Sequence, residues 1–506
     1  MAKLVTNNEI IMLNQKDIDL LRNKKINEQH LFVDNKKIPS LSGKTIDVTS
    51  PIDGKILTTI ANANIEDVDH TVKVARASFE SGHWSRATPQ ERKKILIRFA
   101  ELIEANALEL AVLGVRDNGT EINMAIMAEP SSAASCIRYY AETIDKIYGE
   151  IAPTSDSILG LIHREPIGVI GAIIPWNFPL MIASWKFAPA LCTGNSVIIK
   201  CAENASLALL KLAELATEAG MPAGVFNVIT GEGEITGKAL AMHMDVDVIA
   251  FTGSGVVGRK ILEYSALSNL KRVYLELGGK SPNIVFADTK DIDKAVAQSL
   301  GGIFRNSGQV CVAGSRLIIE ESIADEFTEK LIIESKKLVV GNPLDLSSNI
   351  GAVASQDQLN KNLDYVESAL SEGAILKSGG KQINQEIGGY YMEPTIFSKI
   401  NNEMKIAQEE VFGPVLSILT CKNEKDAVNI ANNTVYGLAA AVWTSDLSKA
   451  HRMIRSIKAG VVHVNCYGGA DLTVPLGGVK QSGNGHDRSL HALEKYTDLK
   501  TAWISL

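Results

Sequence analysis

The 506-residue chain lacks an excess of positive charge: 51 lysines and arginines stand against 58 aspartates and glutamates, for a net charge of −7. Nucleic-acid-binding surfaces are basic, so this balance predicts no nucleic-acid partner. Cysteine is scarce. The six cysteines, at 136, 192, 201, 311, 421 and 466, form no Cys-x-x-Cys pair and no zinc-ligand spacing. The sequence therefore predicts neither a disulfide framework nor a metal site, and its thiols fit a reduced, cytoplasmic setting with room for one reactive sulfur. No apolar run reaches the roughly 20 residues that span a bilayer. The first twenty residues mix apolar with charged side chains and lack the apolar core of a secretory signal, so no membrane association is expected. Low-complexity linkers and short repeats are absent as well.

What is present is the composition of an ordinary folded protein, with 45% hydrophobic and 22% charged residues. The length exceeds what one hydrophobic core organises, and two or three domains are expected. Residues 1–30 read as a weakly ordered or helical arm, followed by short strands at 31–33 and 45–48. Helical periodicity then runs from 65 to about 148, with Ser50-Pro51 and Thr88-Pro89 at segment boundaries. From 169 the pattern changes. Short apolar runs at 169–174, 196–199, 226–229, 246–251 and 273–277 alternate with helix-like stretches such as 206–219 and 255–266. Buried strands joined by helical crossovers indicate a parallel sheet covered on both faces. A second series begins near 284, with strands at 284–286, 317–320, 416–420, 439–444 and 461–464 and helices at 323–337 and 355–372. The predicted fold class is α/β, with two doubly wound α/β domains.

Three short motifs carry chemistry. Gly308-Gln309-Val310-Cys311-Val312-Ala313-Gly314-Ser315-Arg316 puts one thiol in a tight turn between a helix-like and a strand-like segment. Leu275-Glu276-Leu277-Gly278-Gly279-Lys280-Ser281-Pro282 offers a carboxylate at a strand end, and Pro175-Trp176-Asn177-Phe178-Pro179 offers a fixed amide donor. A nucleophile, a base and an oxyanion donor are what covalent acyl chemistry needs. Each residue also has a plainer reading. A single cysteine is most often a small buried hydrophobe, a strand-end carboxylate is most often solvated, and Asn177 can cap a helix starting near Pro179. Their joint occurrence on two α/β domains favours the chemical reading.

A fourth motif, Phe251-Thr252-Gly253-Ser254-Gly255-Val256-Val257-Gly258, closes a predicted strand and opens a helix. It fits Gly-x-Gly-x-x-Gly, whose backbone amides receive phosphate at a helix N-terminus; a glycine-eased turn is the plainer alternative. Two carboxylates can serve as the ribose-binding acid of this pattern: Glu276, 18 residues past Gly258, and Glu203 in Lys200-Cys201-Ala202-Glu203. Spacing does not choose between them. Either would accept ribose hydroxyls and repel a 2′-phosphate.

Together with Glu409-Glu410-Val411-Phe412-Gly413-Pro414-Val415 and Pro475-Leu476-Gly477-Gly478-Val479-Lys480-Gln481-Ser482-Gly483, these motifs make six in a fixed order. From about residue 30 to its C-terminus the chain resembles the aldehyde dehydrogenase superfamily. The resemblance implies an NAD-dependent enzyme that oxidises a small-molecule aldehyde to its carboxylic acid through a cysteine thiohemiacetal and thioester. It implies that Cys311 is the nucleophile, Glu276 the general base, and Asn177, with the Cys311 backbone N–H, the oxyanion donor. The ribose acid is then Glu203, with Lys200 beside it and counted with both the catalytic and the cofactor residues. The phosphate loop becomes a looser Gly-x-x-x-x-Gly through Gly253 and Gly258, with Ser254 near the pyrophosphate and Gly255 incidental. Glu410 and Phe412 match the residues that hold the nicotinamide ribose and ring, and Trp176 and Gly231 match other cofactor-pocket positions. The implied layout is an NAD-binding domain at 1–145 and 164–278, a catalytic domain at 279–480 and a small β oligomerisation arm at 146–163 and 481–506. Such an arm implies a homodimer or homotetramer.

Within the superfamily, the segment from Pro475 to Leu506 and the stretch 139–150 resemble bacterial gamma-glutamyl-gamma-aminobutyraldehyde dehydrogenases. This implies an amino- or acylamino-aldehyde substrate; a broad-specificity aliphatic or betaine aldehyde dehydrogenase is the alternative. Glu276 speaks against a coenzyme-A-acylating enzyme, and intact Cys311, Glu276 and Asn177 speak against a noncatalytic binding protein. The chain also departs from the family pattern. Leu476 replaces a common phenylalanine, His486 a frequent arginine and Thr120 a lysine, while Arg305 stands six residues before the nucleophile where many relatives are apolar. Arg305 and Leu476 suggest a wider, more polar entrance. There Arg305 would pair with a substrate carboxylate and Asp471 with an amine, unless both face solvent or each other.

Overall fold

The computed structural model describes residues 3–6, 9–469 and 471–506. Its first large sheet runs in the order Gly483–Asn484, Arg272–Glu276, Val248–Thr252, Val169–Ile173, Ser196–Lys200, Phe226–Ile229, Leu31–Val33 and Lys36–Ile38. The five central strands are parallel and the flanking pairings antiparallel. Parallel neighbours need a long crossover, and helices such as Pro179–Cys192, Leu207–Glu218 and Gly255–Ala266 supply it. Every residue of Ser196–Lys200 and Phe226–Ile229 is buried, as expected of strands covered on both faces.

Counted along the chain, these five strands lie in the spatial order 5-4-1-2-3. The order reverses between Val169–Ile173 and Val248–Thr252, which pair directly. At such a reversal the two following connections leave in opposite directions and open a crevice at the C-terminal strand ends. Pro175-Trp176-Asn177 follows one strand of this pair and Gly253-Ser254 follows the other.

The second sheet has the order Ile375–Ser378, Thr395–Ser398, Val415–Cys421, Arg316–Glu320, Pro282–Val285, Ala439–Trp443 and Val461–Val464. All its pairings are parallel except the edge pair Ile375–Ser378 with Thr395–Ser398. Only residues 277–281 separate the C-terminal end of Arg272–Glu276 in the first sheet from the start of Pro282–Val285 in the second. Cys311 lies in the turn that feeds Arg316–Glu320, the neighbour of Pro282–Val285. The connectivity itself therefore sets the cysteine against the crevice of the first sheet. A third sheet joins Thr497–Ser505, Ile158–Pro166 and Glu150–Ala152, all antiparallel. No helix among the described residues is long and apolar enough to cross a membrane.

The central strands and the helix Gly255–Ala266 fall where periodicity predicts them. The N-terminal arm does not: Lys3–Thr6 and Glu9–Met12 pair antiparallel, and helix covers only Gln15–Arg22. Ile375–Ser378 and Thr395–Ser398, four residues each, are too short to leave a periodic signal.

The C-terminal segment is pinned to the first domain by a buried ion cluster. Lys186, on helix Pro179–Cys192, donates to Asp487 Oδ2 at 2.8 Å, and Lys495 donates to Oδ1. All three side chains are buried. Burial pushes the Asp487 carboxyl up, but the two ammonium groups outweigh it and hold the group below the ordinary carboxylate range. Asn195 adds a hydrogen bond to the Tyr496 carbonyl at 2.9 Å, and Tyr140 one to the Ser489 carbonyl at 2.9 Å. Because the folded carboxyl titrates below its unfolded value, its contribution to stability is present at neutral pH and is lost on acidification. Asp487→Ala leaves two buried ammonium groups unpaired and is predicted to cost about 3–5 kcal/mol, read as earlier unfolding in urea. Adding Lys186→Met to that variant removes one of the unpaired charges and recovers part of the loss.

Candidate active site

The turn that carries Cys311 is held in an unusual backbone conformation. After helix Ile292–Phe304, Asn306, Ser307 and Gly308 follow one another at φ 50°, 51° and 73°. A left-handed non-glycine residue costs about 1–3 kcal/mol and persists only where its surroundings over-determine it. Here they do. The Asn306 N–H donates to Glu121 Oε1 at 3.0 Å, and its side-chain Nδ2 donates to the Asn177 carbonyl at 3.1 Å. The Thr120 hydroxyl donates to Asn306 Oδ1 at 2.8 Å, and the Ser307 hydroxyl to the Gly351 carbonyl at 3.0 Å. The Gln309 side chain donates to the Asn306 carbonyl at 3.1 Å and accepts from the Ala354 N–H at 2.8 Å. A Cβ at Gly308 would lie 2.0 Å from the Gly413 carbonyl oxygen, so only glycine fits there. Sequence reasoning missed Glu121, Asn306 and the role of Thr120, whose partners are far away in the chain.

Cys311 is half-buried and opens on two cavities. The first, about 170 Å³, is lined by Trp176, Gly253, Ser254, Glu410 and Phe412 among others. It is the crevice at the strand-order reversal. Trp176 and Phe412 meet edge to face at 5.2 Å. Phe412 is left-handed at φ 58°, and Gln358 secures it by donating to the carbonyls of Val411 at 3.0 Å and Phe412 at 3.1 Å. Gln358 and Lys361, one turn apart on helix Gln356–Ser371, line this cavity and were not singled out from sequence. Glu410 accepts from the Gly279 N–H at 2.9 Å, and its carboxylate fills the place a Cβ on Gly278 would take. Burial raises the Glu410 carboxyl to about 7. The second cavity, about 230 Å³, has apolar walls that include Phe178, Trp185 and Leu476, together with Arg305 and Arg488.

Asn177 is buried and does not cap the helix that follows; the cap position is Phe178, with no side-chain hydrogen bond. Its Nδ2 donates instead to the carbonyl of Gln309 at 2.9 Å, two residues before the sulfur. One amide hydrogen of Asn177 is thus used to hold the turn and the other is left over. Glu276 ends its strand buried, and among the described residues its Oε1 has no hydrogen-bond partner. Burial, and then the charge of Asp487, raise its carboxyl well above the ordinary range. The Cys311 thiol is pushed up to about 12, first by burial and then by Glu410 and Glu276. These surroundings favour the protonated thiol over the thiolate.

Most of the remaining predicted residues follow the C-terminal ends of strands in the first sheet. Lys200 is buried and donates to Glu203 Oε1 at 3.0 Å, while the Glu203 side chain is 37% exposed. Gly231, just past strand Phe226–Ile229, has φ 147°, and a Cβ there would clash with Thr236. Ser254 caps helix Gly255–Ala266 by accepting from the Val257 N–H at 3.3 Å. A Cβ on Gly253 would meet the Phe251 ring at 2.4 Å, and one on Gly258 would meet Leu277 at 2.9 Å, so both glycines let the helix pack close to the strand ends. Asp471 is exposed and lines neither cavity; its carboxylate accepts from the Thr473 N–H at 2.8 Å and hydroxyl at 2.7 Å.

Comparison with known proteins agrees with this arrangement. The model of the "Aldehyde dehydrogenase family" matches residues 38–502. The chain is 47% identical to the NADP/NAD-dependent aldehyde dehydrogenase PuuC of Escherichia coli (strain K12), over 95% of this chain and 96% of that protein. It superposes with a TM-score of 0.96 on an indole-3-acetaldehyde dehydrogenase solved with NAD+, 50% identical, covering 98% of this chain and all of the other. The TM-score is 0.95 for a gamma-glutamyl-gamma-aminobutyraldehyde dehydrogenase from Burkholderia cenocepacia J2315, 48% identical over 98% of this chain and 100% of that one. A site with a cysteine between two cavities, on two joined α/β sheets that match throughout their length, thus belongs to a chain that is a member of the aldehyde dehydrogenase family.

Proposed function

We propose that the enzyme oxidises an amino- or acylamino-aldehyde to its carboxylic acid with NAD, through covalent intermediates on Cys311. The observation that carries this reading is a sulfur open to two cavities with the unpartnered Glu276 carboxylate nearby. The substrate class draws its support from relatives, one of them named for gamma-glutamyl-gamma-aminobutyraldehyde.

The first cavity suits NAD. Thr252 Oγ1 is buried there without a partner, and the capped start of helix Gly255–Ala266 forms part of its wall. Glu410, Phe412 and Trp176 would hold the nicotinamide end, Gly253, Ser254 and Gly258 the phosphates at the helix N-terminus, and Lys200 and Glu203 the adenosine ribose, with Gly231 completing the edge. When bound, NAD supplies the hydride acceptor. The chain's own residues do the rest. Glu276, with a free oxygen and a raised affinity for protons, takes the proton of Cys311. The sulfur then attacks the aldehyde carbon from the second cavity. The oxygen that gains charge is held by the spare Asn177 amide hydrogen and the Cys311 N–H, each donor worth roughly 3 kcal/mol in the transition state. After oxidation the acyl group is a thioester on the sulfur. Glu276, having passed the cysteine proton on to solvent, removes a proton from water, the water oxygen attacks the thioester carbonyl, and collapse of that adduct frees the acid and expels the sulfur, which regains a proton from Glu276.

In this reading 1–145 and 164–278 form the NAD-binding domain and 279–480 the catalytic domain that carries Cys311, with Glu410 and Phe412 reaching the cofactor from the catalytic side. We assign the third sheet to contact with a second copy, as a homodimer or homotetramer. Its exposed apolar side chains, Ile151 at 74% and Trp503 at 66%, are of the kind that interfaces cover.

Reduction of NAD by an aldehyde, with free acid as product and no coenzyme A added, tests the reaction as a whole; turnover that begins only when coenzyme A is supplied would contradict it. Because Glu276 must be ionised to act, kcat is predicted to rise with pH along a limb lying above the ordinary carboxylate range. Glu276→Gln is predicted to lower turnover by about 10²–10⁴-fold and to abolish that limb. Glu203→Ser removes the charge that repels a 2′-phosphate. The NADP-to-NAD ratio of kcat/KM is predicted to rise by about tenfold, equivalent to about 1.4 kcal/mol; an unaltered ratio counts against Glu203 as the ribose acid.

A further inference from the structure

We propose that the aldehyde accepted by this site carries a carboxylate at the end remote from its carbonyl, and that Arg305 and Arg488 receive it. The inference rests on the dehydrogenase reading above and narrows its substrate class.

Both guanidinium groups line the second cavity, the same cavity that reaches Cys311. The other buried arginine among the described residues, Arg316, is paired: it donates to the carbonyls of Lys280, Ile430 and Ala431 at 2.8–3.0 Å. Among the described residues neither Arg305 nor Arg488 forms a hydrogen bond or an ion pair, and the Nε of each is buried without a partner. Arg488 is only 6% exposed, and its guanidinium stacks over the Trp185 ring at 5.3 Å. The Arg305 guanidinium lies against Gly468, where a Cβ would come within 3.1 Å of it. An unpaired cation in such surroundings loses hydration without compensation.

Glu121 attracts Arg305, and Asp487 and Glu276 attract Arg488, but among the described residues none of them pairs with either guanidinium. No residue lining the cavity is acidic. Asp487 is engaged by Lys186 and Lys495, Glu121 by the Asn306 N–H, and Asp471 by Thr473. His463, also in the lining, is held below its ordinary range by burial and then by the two arginines, so it is neutral at pH 7. Two positive charges thus stand in an apolar chamber that ends at the nucleophile. A substrate carboxylate would complete the charge balance through two guanidinium donors. A free ammonium group would add a third positive charge. Within the amino- and acylamino-aldehydes, this selects an acylamino-aldehyde whose acyl part ends in a carboxylate over a simple aminoaldehyde.

The test uses three aldehydes of one chain length, ending in a carboxylate, its methyl ester and an ammonium group. The carboxylate is expected to exceed the ester in kcat/KM by about tenfold or more, with the ammonium compound last. Arg305→Gln and Arg488→Met are each expected to lower the carboxylate-to-ester ratio by about tenfold. Equal rates for the three compounds, a preference for the ammonium compound, or an unchanged ratio in both variants overturns the proposal. If none of the three reduces NAD, the dehydrogenase reading fails instead. The anion subsite is then judged separately: glutarate should raise the melting temperature of Cys311→Ser but not of Cys311→Ser carrying Arg305→Gln, and no shift in either sinks it.

Discussion

The hydrogen bond from Asn177 to the Gln309 carbonyl joins the two halves of the site. Asn177 stands where the strand order of the first sheet reverses, and Gln309 belongs to the turn that opens the second strand of the other sheet. Neither sheet alone makes a reactive centre. The turn before Cys311 is left-handed at three successive residues, and it keeps that shape through contacts that cross from one half to the other. Asn306 reaches Asn177 and Glu121, Thr120 reaches Asn306, and Gly308 sits against Gly413. The position of the sulfur is therefore a property of the assembled fold. A displacement of about 1 Å at such a centre is enough to cost two orders of magnitude in rate, which gives this buried network its functional weight.

Burial also sets the charge pattern around the sulfur. Glu276 and Glu410 are carboxyl groups that the fold removes from water and so holds near their protonated forms. Glu410 lines the first cavity, and both carboxyl groups act on the Cys311 thiol. On the other side two arginines stand in an apolar chamber whose lining holds no acidic residue. The thiol between them keeps its proton until a cation or a base changes the balance. Under the proposed mechanism such an arrangement would restrain the sulfur until the site fills, since the same low-polarity surroundings that hold the proton also strengthen each interaction a ligand brings.

Much of this was legible in the sequence, and the reason lies in which signals are local. Strand and helix periodicity located the central strands of both sheets and the helix Gly255–Ala266, because each is a continuous buried run or an amphipathic turn. The motifs around Asn177, Glu276, Cys311 and Glu410 also spoke locally. Gly253 and Gly258 were legible as glycines, but their reason was not: they make room for Phe251 and Leu277. Glu121, Asn306 and Gln358 were illegible because their partners are supplied by distant segments. Arg305 drew notice only as a departure from a family pattern, and Arg488 drew none, because pairing or its absence is a fact of three dimensions. The short edge strands near 375–398 and the hairpin at 3–12 carry too few residues to mark a period.

The central claim is that Cys311 carries the substrate as a thioester which Glu276 frees. The most direct measurement is the intact mass of Glu276→Gln after mixing with aldehyde and NAD and quenching in acid. The account predicts one acyl group per chain, mapped by peptide analysis to residue 311 and missing when Cys311 is also replaced by alanine. An unmodified residue 311 together with undiminished turnover in Cys311→Ala would contradict it.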